Sequence, residues 1–168
     1  MNYFSHIIDL EEADERGRPT SFSASKEQCE QIMEVFDLLD LKSFTVQSQV
    51  QLLGDGIYEL NGSLNAVVVQ SSIVSYEPVT TSISEPFTVK LMPSEKRMAD
   101  YETTHPDDDC DVYDDQEYDL GNLALEYLSL SLPTHPKLAG ESGDHIEFEE
   151  NEKAPSPFTA LSDLKKED

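Results

Sequence analysis

At 168 residues the chain is long enough to bury a core of its own, and its formal net charge of −24 marks it as strongly acidic. Eleven Lys and Arg against 35 Asp and Glu argue against steering onto RNA phosphates, because counterion release needs cations. Two cysteines, Cys29 and Cys110, no basic leader and no apolar run of about 18 residues predict reduced thiols in a soluble, cytoplasmic protein without a membrane span.

In chain order, residues 3–10 can form a short strand using Phe4, Ile7 and Ile8. Residues 11–23, polar with Gly17 and Pro19, read as a loop. Ser25-Lys26-Glu27-Gln28 fits a capping box and predicts a helix with Ile32, Phe36 and Leu39 on its apolar face, beside Cys29, Met33 and Val35. Cys29 reads there as a small buried hydrophobe and not as a nucleophile.

A sheet follows. Phe44, Val46, Ser48, Val50 and Leu52 alternate with polar positions, as a half-buried strand requires. Gly54-Asp55-Gly56 is a tight turn. Tyr58, Leu60, Gly62, Leu64, Ala66 and Val68 alternate again, with Gly62 expected at a bulge or bend. After a turn at 71–78 comes a third long strand, with Val79, Thr81, Ile83, Phe87, Val89 and Leu91; Pro86 places a bulge or an edge in it. Short connections predict an antiparallel meander, and no crossover for parallel pairing is visible. The expected fold class is α+β: an antiparallel β-meander that could close partly into a barrel, with packed helices and an acidic mobile loop, in one domain over 1–168.

That loop is residues 93–117, where nine Asp and Glu from Asp100 to Glu117 face only Lys96 and Arg97. Asp107, Asp109 and Asp111 open with the spacing of an EF-hand, but Val112 stands where glycine is needed and Tyr118 where the closing glutamate belongs. A solvated charge run is the reading, and no metal site is expected.

The stretch 118–136 is the most apolar after the sheet. Asp119 can cap a helix, with Leu120, Leu123, Ala124, Tyr127 and Leu128 on one face and Pro133 as its stop. Leu128 to Leu132 alternates, so a short strand there stays open. Gly121, costly in a first turn, is either an indifferent core residue or a point of close approach for another backbone or a partner. Beyond it, 137–152 is loop-like and acidic. Ser156, Pro157, Phe158, Leu161 and Leu164 pattern a short amphipathic helix that must dock on the body or on a partner.

No phosphate loop, zinc spacing or nucleophile elbow occurs, and His6, His105, His135 and His145 are scattered. The expectation is a protein that is not an enzyme and has no cofactor or small-molecule substrate.

Three stretches in order resemble the YceD family, over the chain from about Leu60 to the end. They are Leu60-Asn-Gly-Ser-Leu-Asn-Ala66 with its valine strand, Asp119-Leu120-Gly121 through Glu126 to His135-Pro136, and Pro157-Phe158-Thr-Ala-Leu161-Ser-Asp-Leu164-Lys165. The resemblance implies a role in accumulation of large-subunit ribosomal RNA. Its partner would be a large-subunit precursor, either rRNA or a basic ribosomal protein. It also nominates Asp119, Leu120, Gly121, Glu126, Pro157, Phe158 and Leu161 as partner-binding residues. Many relatives carry cysteines where this chain has Ser72 and Ser75, and hydroxyls do not replace thiolates on zinc. An acidic adaptor without a ribosomal role, and an RNA-processing enzyme with converged carboxylates, are the competing readings.

Overall fold

The computed structural model describes residues 4–94 and 109–141. The chain divides after Leu138 into two units, and of the second only residues 139–141 are described.

In the first unit the elements run β1 (Ile7–Asp9), a 3-10 turn (Leu10–Glu12), β2 (Arg18–Ser23), α1 (Lys26–Phe36), β3 (Asp40–Gly54), β4 (Ile57–Ser71), β5 (Pro78–Pro93), β6 (Cys110–Tyr113), β7 (Glu117–Asp119) and α2 (Leu120–Ser131). A five-stranded sheet has the order β2-β3-β4-β5-β6, and β1 pairs with β7 in a separate ribbon. The fold is therefore α+β, as the patterning predicts.

Period-2 patterning puts one row of each long strand inside. Val46 lies opposite Leu64, Leu60 opposite Val89, and Phe44 opposite Ala66, all buried in one cluster. The turn between β3 and β4 has positive φ at Gly54, Asp55 and Gly56, matching its composition. Helix α1 begins with the predicted capping box: Ser25 Oγ accepts from the Gln28 N–H at 3.2 Å, and Gln28 Oε1 accepts from the Ser25 N–H at 2.8 Å. It ends at Asp37 in the left-handed region, so Leu39 falls outside the helix and is 53% exposed. Ile32 carries its buried face, and α1 lies against β3, while α2 lies against β4, β5 and β1.

Several expectations are corrected. Residues 18–23, read as loop, form β2, an edge strand with Thr20 and Phe22 half-buried and the rest exposed. Gly62 is no bulge, since the β3–β4 register runs unbroken through Ser48–Gly62 and slips instead at 41–43 and 52–54. A Cβ on Gly62 would lie 2.4 Å from Phe87 Cζ and 2.7 Å from the Gln47 carbonyl, so the glycine makes room for an aromatic ring. Pro86 pairs with Ser63 in unbroken register, and its far side has no described strand, because β6 pairs only with residues 90–93.

The meander is not wholly antiparallel. β6 runs parallel to β5, and the stretch of chain from 94 to 109 between them is long enough to permit parallel pairing. Part of the acidic stretch is thus strand: 110–113 and 117–119 are paired, which corrects the mobile-loop expectation for residues 109–117, while 95–108 lie outside the described residues. Among the described residues the sheet is open, with β2 and β6 as its edges, and the partly closed barrel finds no support.

Candidate functional site

The 118–136 stretch forms the predicted capped helix, and the structure shows what its first turn holds. Asp119 Oδ1 accepts the N–H of Asn122 at 3.1 Å and the N–H of His6 at 3.0 Å, while Oδ2 accepts the Ser5 hydroxyl at 2.8 Å. The Leu120 N–H donates to the His6 carbonyl at 3.0 Å, and the Leu120 side chain is fully buried. One carboxylate therefore caps α2 and ties down the chain's own N-terminal segment. Of the two readings of Gly121, close approach is the one realised. A Cβ there would lie 2.6 Å from His6 N, 2.9 Å from Ser5 C and 3.0 Å from Phe4 O. Phe4 in turn meets Phe44 edge-on with centroids 5.3 Å apart, and His6 stacks on Phe22 at 4.0 Å.

Helix α2 continues through the alternating segment, so the strand alternative is not taken. It stops at Leu132, whose ψ of 131° is the extended backbone that Pro133 imposes. The following residues hold the turn after β4: the Gln70 side-chain amide donates to the Pro133 carbonyl at 3.2 Å, and the Ile73 N–H to the Pro136 carbonyl at 3.0 Å. In that turn Ser72 is 1% exposed, and its Oγ accepts from the N–H groups of Val74 at 3.1 Å and Ser75 at 3.3 Å. The Ser72 hydroxyl stabilises the turn and does not fit a soft metal ion. Among the described residues no three His, Cys, Asp or Glu are grouped to hold a metal.

The outward side of α2 differs. Glu126 is exposed and accepts from the Asn122 amide at 2.9 Å. Leu125, Glu126, Ser129 and Leu130 of α2 face Val35 and Phe36 of α1 across a groove of about 540 Å³. Leu130 is 82% exposed and Val35 43%. An adjoining hollow of about 330 Å³ shares Glu126 and Leu130 and adds Asp109, Asp111, Leu123 and Tyr127. Here Tyr127 donates to Asp109 Oδ2 at 2.6 Å and Tyr118 to Asp111 Oδ2 at 2.7 Å. Burial, then the bond to a carboxylate and nearby negative charge, push both phenols well above the usual tyrosine range. They stay protonated and anchor the two aspartates on the surface. Burial also raises the Cys29 thiol, followed by Asp40 and Glu30, which leaves little thiolate at neutral pH.

Of the nominated residues, Asp119, Leu120 and Gly121 are thus gathered at the N-terminal clamp, Glu126 lies further along the same helix at the groove, and Pro157, Phe158 and Leu161 lie outside the described residues. Sequence reasoning missed Ser5 and His6, which carry no pattern of their own. It also missed Leu125 and Leu130, whose signal was visible: apolar residues off the core-facing stripe of a helix.

The fold and surface define an α+β protein with a capped, N-terminally clamped helix beside an apolar groove and an adjoining hollow that carries carboxylates. The chain belongs to the family described as Large ribosomal RNA subunit accumulation protein YceD, whose profile matches residues 60–165. The family's name ties it to accumulation of the large-subunit ribosomal RNA. No curated protein and no solved structure matches the chain. Among the described residues no helix is long and apolar enough to cross a membrane.

Proposed function

We propose that this chain is a non-catalytic, cytoplasmic ribosome-biogenesis factor, which supports large-subunit rRNA accumulation by holding a basic ribosomal protein of the precursor. The observation that carries this reading is the company its carboxylates keep. Asp109, Asp111 and Glu126 line one hollow with Leu123, Tyr127 and Leu130, so acidic and apolar contacts are offered together. A net charge of −24 steers basic partners toward the protein and naked RNA away from it.

Depletion of the protein should lower mature large-subunit rRNA and raise its precursors in ribosome profiles. Pull-downs with the full chain should retain basic large-subunit proteins, less so at high salt. Asp109→Asn with Asp111→Asn should slow their association. Recovery of protein-free rRNA as the tight, salt-resistant partner would rule the reading out. Normal rRNA accumulation after depletion would favour an acidic adaptor without a ribosomal role.

A further inference from the structure

We propose that the groove between α1 and α2 is the seat of a basic amphipathic helix presented by a partner protein. The inference rests on the functional reading above and names the surface and the kind of segment that fits it.

The floor of the groove is apolar: Val35 and Phe36 from the end of α1, Leu125 and Leu130 from α2. An exposed leucine alone means little, but Leu130 at 82% and Val35 at 43% share one groove with two further apolar side chains. Its rim is acidic. Glu126 lines it, Asp109 and Asp111 line the hollow that continues past Leu130, and exposed Glu34 and Asp37 flank Val35 and Phe36 in sequence. Among the described residues no Lys or Arg lines either depression; α2 has none at all, and Lys26, the lone base of α1, lies near Glu30 at the other end.

Apolar floor and carboxylate rim together select a segment with an apolar stripe flanked by Lys or Arg. The groove itself is lined by α1 and α2 alone, so an extended peptide seated in it would find no strand to pair with; only the adjoining hollow reaches the edge strand β6, at Asp111. A helix satisfies its own backbone and presents anchors at i, i+3 or i+4 and i+7.

The test uses the full chain and a dye-labelled peptide of about 18 residues, with Leu at helix-face positions and Lys elsewhere. Binding is read by anisotropy and peptide helicity by circular dichroism. Wild type should bind and raise helicity. Leu130→Asp, at an exposed position that folding does not need, should weaken binding at least about tenfold. Glu126→Gln should weaken it about two- to threefold at low salt and hardly at high salt. Equal binding of a peptide with Leu replaced by Ser would overturn the proposal, as would equal binding by Leu130→Asp.

Two other occupants are distinguishable. Self-association that Leu130→Asp abolishes would mean a second copy fills the groove, and a rise in affinity on Phe158→Ala would mean the chain's own tail competes; either overturns it. If wild type and Leu130→Asp both retain basic large-subunit proteins equally, the groove assignment falls while the functional reading stands. If wild type retains none, both fall.

Discussion

The outer face of the five-stranded sheet and the outer side of α2 are both solvent-facing, yet they are built from opposite materials. Across β2 to β5 three cross-strand rows read Ser23-Thr45-Asn65-Ser84, Ser21-Gln47-Ser63-Pro86 and Pro19-Gln49-Asn61-Thr88. None of these residues is ionisable, in a chain with 35 Asp and Glu. Around α2, carboxylates and exposed apolar side chains crowd together. Among the described residues the charge is therefore unevenly spread: those three rows carry none, while the side of α2 carries Asp109, Asp111 and Glu126. The two also differ in how tightly they are specified. The first turn of α2 is fixed by close backbone contact, while the sheet's outer rows meet mainly solvent and one another, as in the bonds between Ser23 and Thr45 and between Thr88 and Asn61.

The sharpest way to probe that difference is Gly121→Val. Its side chain would collide with the Phe4–His6 backbone, and a loss of about 3 kcal/mol is expected in urea unfolding, far beyond the helix-propensity gain. Asp119→Ala removes the cap and both ties to the N-terminal segment, for about 2 kcal/mol, with faster amide exchange at His6.

Next comes pH. Tyr118 has its folded pKa raised above the unfolded value of about 10, so the folded state keeps a proton that the unfolded state loses. Stability is then intact below about pH 10 and falls above it by up to about 1.4 kcal/mol per pH unit. Urea midpoints at pH 8 and pH 11 check the sign, and Tyr118→Phe should flatten the difference. The smallest effect belongs to the sheet: Asn65→Ala or Gln47→Ala should stay within about 0.5 kcal/mol. A loss above about 2 kcal/mol there would erase the contrast between the two surfaces.

Much of this was legible from residue spacing. The capping box at Ser25, the three long strands and the Asp119 cap each rest on a local pattern, and each is present. What escaped is non-local. β2 has little alternation because it is an edge that keeps Arg18, Pro19, Ser21 and Ser23 exposed, so its pairing with β3 could not be read from its own residues. β6 sits within an acidic run whose composition argues for a solvated loop, and only its parallel neighbour β5 makes it a strand. At the site, Gly121 could be flagged as a place of close approach, but Phe4, Ser5 and His6, more than a hundred residues away, could not be named as what approaches. All three of their approaches to Gly121 are made by backbone atoms, which carry no sequence signature.

The clamp also sets an order of events during synthesis. His6 leaves the ribosome 113 residues before the aspartate that receives its N–H. At about 5–20 residues per second, the first strand waits roughly 6 to 23 seconds for β7 and α2, while the hairpins of β3, β4 and β5 can already close locally. During that interval Phe4, Ile8 and Leu10, in or beside the unpaired first strand, lack the packing they find in the folded core. The nascent chain is then at its most vulnerable to chaperone capture or misassociation. Pulse-labelled refolding should correspondingly show amide protection across the β3–β4 hairpin before it appears at Ile8.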